Sequence, residues 1–426
     1  MKLGFVLGSS VPIMSALEAI KTVISQPLEA LRSFFGRHNA ELRSTQIPDV
    51  YMVKLTEKTK VSDPEIQPFK GLMFNHKTTE VRSCIYPVPI EVKDMPEADR
   101  DQLLASLSQQ SCTVTEAIDG TMFRYAYFPE IDQWLLSTVS KEKASEAFWM
   151  NRVSFETQFN SVPGLKLDPT TFDRNHIHLF VMCHPLNVIV VPVDEPKIYH
   201  VATYDRQTLE EIEVDLGLPK PKIFALQPHE VLEATQTAKE QPVRLAGYMV
   251  QVKDGPWTRR YRFENGNYTY AKNLRGNSNN INFTLLELRQ DDLRDDKQDL
   301  KEFLSYYPQY QGGMDQLNDR ISRLVSLFYS QYGKRYKDQQ NIRVHRRHHK
   351  FLGEIHQKLF RDILKPMGKT VQRSDIAKFV DQLPAAKLLY LLNYIHDNGQ
   401  PASAPNESPS AESNQEGPSA ESNQEG

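Results

Sequence analysis

The sequence predicts an α+β domain followed by an all-α domain and a disordered tail. Three observations carry this reading. Short apolar runs of strand type mix with helical spacings over about the first 290 residues, without the strand–helix alternation of a parallel sheet. Beyond about residue 295 every apolar pattern is helical. From Gly399 the chain is dominated by Pro, Ser, Asn, Glu and Gly, and Pro409–Gly417 recurs residue for residue as Pro418–Gly426. Such a segment has too few apolar side chains to offset the entropy of ordering it. The predicted boundaries are 1–44 for an N-terminal helical extension, 45–292 for the α+β domain, 293–398 for the all-α domain and 399–426 for the tail.

Each element follows from local spacing. Leu17, Ile20, Val23 and Ile24, then Leu28, Leu31 and Phe34, recur at helical intervals with a break at Pro27. Val50–Leu55 and Gly71–Phe74 read as strands. Thr121–Phe128 and Trp134–Thr138 read as a hairpin turned by Pro129–Asp132, with Phe123, Tyr125 and Tyr127 on one face and Arg124 on the other. Lys141–Met150 reads as a helix, and the nearly all-aliphatic Asn187–Val193 as a buried strand. Leu300, Phe303, Leu304 and Tyr307 mark a helix that stops at Pro308, and Leu317, Ile321, Leu324 and Phe328 mark the next. Residues 351–364 and 374–396 continue the helical pattern.

Composition narrows the function classes. Hydrophobic residues make up 39% and charged residues 25% of 426, and no apolar run reaches the length of a membrane span, so a water-soluble chain with no membrane partner is expected. A net charge of -3 excludes a uniformly basic nucleic-acid coat but leaves room for local patches. Cys84, Cys112 and Cys183 have no zinc-type spacing, which fits a reducing, intracellular compartment. Ser9, Ser10 and Pro12 interrupt the apolar N-terminus, so no export signal is expected.

The chemistry concentrates in Thr115-Glu116-Ala117-Ile118-Asp119-Gly120-Thr121 and in four companions. Phe69-Lys70-Gly71-Leu72-Met73-Phe74 precedes it; the segment Phe180 to Val190, then Leu245-Ala246-Gly247-Tyr248-Met249-Val250, then Arg260-Tyr261-Arg262 follow. In order and spacing, over roughly residues 50–395, these segments resemble the phage-type RNA ligases of the covalent nucleotidyltransferase superfamily. The resemblance implies an antiparallel-sheet, ATP-dependent ligase-like nucleotidyltransferase domain with a helical domain after it. It implies ATP and Mg2+ as cofactors and RNA or a nucleotide as partner.

The same resemblance marks what is missing. Its Lys-x-Asp-Gly lysine, the amine that attacks the α-phosphate of ATP, is Ala117 here, and a methyl group is no nucleophile. The glutamate implied to hold a ribose hydroxyl is Val181, and the one implied to hold a metal ion is Ala246. What persists is suited to binding: Lys70 in place of an arginine, Asp119, Gly120, Phe180 placed to stack on a base, Gly247 for close backbone approach, and Arg260 and Arg262 where lysines would grip phosphate.

Independently of any family, Lys334–Arg373 holds twelve Lys or Arg against three acidic residues, a net +9. Its centre, Arg343, Arg346, Arg347 and Lys350 with His345, His348 and His349, reads as an RNA-binding surface whose charge the histidines would raise below neutral pH. No acidic or Cys ligand accompanies these histidines, so no metal site is predicted there. Three functions fit: a degenerate ligase that binds RNA ends or a nucleotide; an active ligase or capping-type enzyme using a displaced lysine such as Lys70; and an assembly protein that meets a protein partner through its tail or basic helices.

Overall fold

The computed structural model describes residues 14–60, 63, 65–85, 88–149, 152–238, 241–255, 257–295 and 297–393. The tail reading and residues 394–396 lie outside them. The chain is α+β, and its described residues fall into two compact units: one of residues 14–281 with 301–310, the other of 282–300 with 311–393.

The first unit is built on three sheets. Strands β1 (Ala40–Ser44), β2 (Val50–Leu55), β3 (Met73–Asn75) and β4 (Glu80–Ser83) make an antiparallel meander in chain order. β5 (Ile90–Glu91) and β6 (Cys112–Glu116) belong to a sheet completed later in the chain. β7 (Thr121–Phe128), β8 (Gln133–Thr138), β9 (His176–Cys183) and β10 (Lys197–Asp205) form an antiparallel sheet in the order β10-β9-β7-β8. β11 (Ile223–Phe224), β12 (Gly247–Asp254) and β13 (Trp257–Glu264) complete the third, ordered β11-β6-β12-β13-β5, in which β5 runs parallel to β13.

The middle sheet is buried on both faces, and strand alternation divides its side chains between two cores. Ile177 and Leu179 of β9 pack with the first sheet, and with Ile20, Leu31 and Phe35 from helices α1 (Met14–Ile24) and α2 (Leu28–Arg37). The break between these helices falls at Pro27, as the spacing predicts, but they are part of the unit's core rather than an extension beside it. The other face of the same sheet carries Phe123, Tyr125, Phe180 and Met182, covered by Phe155 and Phe159. A third core joins Val114, Val250, Val252 and Phe263, on one face of the last sheet, to Leu107 of helix α3 (Glu97–Leu107) and to Val231.

Two local predictions fail for identifiable reasons. Asn187–Val193 is not a strand: Pro185–Asn187 forms a short 3-10 turn, and the amides of Val190 and Val191 donate to Asp119 Oδ2 at 2.9 and 2.8 Å instead of to a neighbouring strand. Branched aliphatics report burial there, not ladder pairing. Within the described part of Lys141–Met150 only a 3-10 turn at Ala144–Glu146 forms.

The second unit is helical. The 300–307 spacing gives a helix over Asp299–Tyr306, and Leu317–Phe328 lies inside Gln311–Tyr332, whose buried stripe includes Leu317, Ile321, Leu324 and Phe328. The pattern at 351–364 begins as an α-helix, Arg346–Glu354, and continues as π-helix over Ile355–Leu364. That at 374–396 divides at Pro384 into Arg373–Asp381 and Ala385–Leu392, because proline lacks the amide a continuing helix needs. Residues 301–310 return to the first unit, where Tyr307 donates to the Ala271 carbonyl at 2.9 Å, so the chain does not pass once from one unit to the other near 292. Among the described residues no helix is long and apolar enough to cross a membrane.

Candidate functional site

A cavity of about 250 Å3 opens between the middle and last sheets of the first unit, and strand parity decides what faces it. Residues directly opposite one another on neighbouring strands share a face. In the last sheet Thr115, Met249, Arg262 and Glu91 lie in one such row across β6, β12, β13 and β5, with Gln251 opposite Arg260 in the next; all six line the cavity. From the middle sheet come Met122, Leu179, Val181, Ala202 and Tyr204, and Lys70 and Ala117 complete the wall.

The polar part of the lining carries charge in a dry setting. Burial pushes the Lys70 amine below its ordinary pKa; Glu91 opposes the shift, while Arg262 and Lys272 add to it. Burial likewise raises the Glu91 carboxyl. Arg262 lies 3.9 Å from Glu91 Oε1 and 3.4 Å from Glu264 Oε1. The Glu264 side chain, only 1% exposed, also receives Lys93 at 2.6 Å and Lys272 at 3.4 Å. Burial alone would raise Glu264, but the Lys93 hydrogen bond and the Arg262 and Lys272 charges hold it below its usual range. Lys70, Lys93, Arg262 and Lys272 thus lie among the carboxylates Glu91 and Glu264, and Glu116 adds a further acidic side chain to the lining. Arg260 is more fully committed: it donates to Glu211 at 2.8 Å and to the Tyr204 hydroxyl at 3.0 Å.

The motif positions separate into those that meet the cavity and those that hold its walls. Ala117, Gly120 and Val181 line it with Lys70, Arg260 and Arg262. Asp119 is turned inward: besides the Val190 and Val191 amides it accepts from the Tyr268 hydroxyl at 2.7 Å, so its carboxylate is consumed in clamping a loop. At Gly120 an added Cβ would stand 2.4 Å from the Met182 carbonyl oxygen, and at Gly247, with φ +150°, 2.0 Å from that of Phe263. Both glycines let two strands approach. Ala246 is buried and its carbonyl accepts from the Asn265 amide at 2.9 Å.

Phe180 corrects an expectation. Because Val181 faces the cavity, its neighbour on the strand must face away, and Phe180 packs fully buried against Phe159, with ring centroids 5.8 Å apart, and against His200 at 5.7 Å. It stacks on core rings and cannot receive a base in this cavity. Residues that the sequence reading missed are Glu91, in a strand of two residues with no periodicity to expose it, and Arg124. Arg124 is wholly buried on β7 and donates to the carbonyls of Gly71 and Thr138, fixing the turn that carries Lys70. Gly71 has φ +66°, and a Cβ there would meet the Val139 carbonyl at 3.0 Å.

Of the cofactors that the resemblance implies, Mg2+ meets alanine, at Ala246, where a glutamate ligand is implied, and among the described residues no group of three His, Cys, Asp or Glu side chains could hold a metal ion. The lining combines an apolar wall, with Ile118, Leu179 and Val181, and the cations Lys70 and Arg262.

No protein-family model matches the chain, and no curated protein matches it. Among solved structures it is similar to form 1 of an archaeal ATP-dependent RNA ligase, with 12% identity, a TM-score of 0.39, and coverage of 72% of this chain and 82% of that one. Form 2 of the archaeal enzyme gives 13% identity and a TM-score of 0.37, over 68% and 73%. These likenesses are distant, and the chemistry of the cavity rests on its own geometry.

In the second unit the basic segment presents its charge to solvent. Arg343, Arg346 and Lys350 are exposed, as are Lys358, Arg361, Lys365 and Lys369; the Arg347 side chain lies outside the described residues. His348 departs from expectation: it is buried against Phe328, and burial lowers its pKa, which opposes the charge expected of it.

Proposed function

We propose that this protein is a ligase-like binder of RNA ends or nucleotides that forms no covalent nucleotidyl intermediate at its motif position. The observation that carries the reading is the composition of one cavity, in which Ala117 and Val181 present hydrocarbon while Lys70 and Arg262 keep positive charge. Such a site can hold a phosphorylated ligand, and at position 117 it has no nucleophile with which to attack it. The exposed cations of the basic segment support RNA as the macromolecular partner.

Incubation with ATP labelled at the α-phosphate, in Mg2+, is expected to leave the protein unlabelled after denaturing electrophoresis; a gel-stable adduct overturns the reading. Binding of a short labelled single-stranded RNA is expected to weaken with salt. Changing Arg343, Arg346 and Lys350 to Gln should reduce the slope of log affinity against log salt by about two, from about 0.7 per phosphate contact on a single strand. An unchanged slope removes this surface from the reading.

One observation favours a second reading. Lys70 is an amine inside the cavity with a lowered pKa, as a relocated nucleophile would require. If the adduct forms and is abolished by Lys70→Met, the protein is an active nucleotidyltransferase and the first reading falls.

A further inference from the structure

We propose that the acidic tail of this chain is the resident occupant of the basic surface on the second unit, and that RNA reaches that surface by displacing it. The first half stands on charge and chain path; the second rests on the reading of the basic segment as an RNA surface.

The surface carries charge that the fold itself does not answer. Arg343, Arg346, Lys350, Lys358, Arg361 and Lys365 are exposed, and among the described residues none of them makes an ion pair or a side-chain hydrogen bond. The acidic residues of this segment and of the helix that follows it are mostly engaged. Glu354 holds Lys387 at 2.5 Å, Asp362 accepts from Gln357 at 3.0 Å, Asp375 from the Gln372 amide at 2.9 Å, and Asp381 from Arg289 at 2.7 Å. Asp338 is exposed. Water solvates exposed cations at little cost, so exposure alone selects no partner. What selects one is an acidic segment tethered beside them. Residues 399–426 hold Glu407, Glu412, Glu416, Glu421 and Glu425 and contain no Lys, Arg or His, so their charge has no partner within the segment. Both copies of the repeat carry the same pair of glutamates, Glu412 with Glu416 and Glu421 with Glu425.

The last described helix, Ala385–Leu392, fixes where that segment departs. Lys387 reaches Glu354 and lies over the Phe351 ring at 5.4 Å, whereas Leu391 meets His348 through its main chain. Advancing along this helix thus means retreating along Arg346–Glu354, and the chain leaves Asn393 at the end where Arg346 and Arg343 lie. A polar chain spans about 5–6 Å × √n for n residues, so the stretch from Asn393 to Glu425 covers about 30 Å, comparable with the basic helix at about 1.5 Å per residue. Tethering at that range holds the glutamates at an effective concentration on the order of 1 mM, enough for several contacts to act together although each is weak. Phosphate then exchanges with carboxylate. Cations already neutralised by the tail release fewer counterions when RNA arrives, so the salt dependence of binding is shallower than it would be with a neutral tail.

A water-soluble carbodiimide, which joins a carboxylate to an amine in contact with it, tests the docking on the full chain without RNA. Tail glutamates are expected to cross-link to Lys350, Lys358 and Lys365 in dilute buffer and to lose those links in about 0.5 M NaCl, where the screening length is about 4 Å. No tail links, or links spread evenly over first-unit lysines such as Lys58 and Lys220, overturn the inference. Changing Glu407→Gln, Glu412→Gln, Glu416→Gln, Glu421→Gln and Glu425→Gln together keeps the tail's length and removes its charge. This variant is expected to bind a short single-stranded RNA about fivefold tighter than the unaltered chain at low salt, with a steeper slope of log affinity against log salt. The two affinities should converge as salt rises. Equal affinity and slope at low salt overturn the displacement. If neither protein binds RNA, the cross-links still decide the docking, and the reading of the basic segment as an RNA surface falls separately.

Discussion

Arg124 and the histidines of β9 and β10 show what single residues contribute to this chain. Among the described residues no carboxylate pairs with Arg124; burial lowers its pKa to about 10, still high enough to keep it charged at neutral pH, and two main-chain carbonyls share its guanidinium. Arg124→Met would strand both carbonyls, and urea denaturation should report a loss of about 2 kcal/mol. His178 and His200 share the Thr203 hydroxyl at 2.9 Å each, and burial depresses both pKa values, that of His178 to about 3. A histidine whose folded pKa is depressed takes up a proton on unfolding at pH values between that depressed value and its free value of about 6.5. Stability should therefore be unaffected by these groups above that pH and fall progressively as the pH drops from about 6.5 toward 3. His178→Gln should flatten the acid limb of a plot of unfolding midpoint against pH. At this scale the sequence was legible where a residue sits in an ordered motif, as with Ala117, Lys70 and Arg262, all of which meet in one cavity. It was not legible for Glu91, which joins the cavity wall by pairing with Arg262, a strand partner far along the chain.

At the scale of elements, strand alternation carries most of the information and also explains the clearest misreading. The resemblance sets Phe180 against a base and a ribose-holding glutamate at position 181, yet adjacent residues on a strand point to opposite faces, and of the two only Val181 lines the cavity. The hairpin of β7 and β8, the helices broken at Pro27 and the stripe of Gln311–Tyr332 follow from periodicity, because each buries one face. Asn187–Val193 eluded that reasoning because its amides are satisfied by the side chain of Asp119, an interaction no period encodes. The approach of β7 and β9 depends on Gly120. Gly120→Ala would press a methyl group into the Met182 carbonyl, and a drop of about 2 kcal/mol in unfolding free energy is expected, read from chemical denaturation at constant m-value. A neutral outcome would show that β9 can retreat without loss.

For the molecule as a whole, composition and period foresaw an α+β part and a helical part, but not the path between them. A single boundary at 292 overlooks the return of residues 301–310 to the first unit, where Phe303 stacks on Tyr307 at 4.7 Å and Tyr270 donates to Glu302 at 2.7 Å. Helical spacing records that 300–307 is amphipathic and is silent about which core receives its apolar face. A fragment ending at residue 292 should accordingly melt several degrees below one ending at 310, since it loses the buried Phe303 and Tyr307. Equal melting temperatures for the two fragments would mean that the returning segment adds nothing to the first unit.

That chain path bears on the order of events at the ribosome. The first unit lacks its last packing segment until residue 310 has been synthesised, by which point the opening helix of the second unit, Ile281–Asp295, has already been made. Vectorial folding of one finished body before the next begins is therefore closed to this protein, and its nascent chain must keep a helix of the second body waiting while the first is sealed.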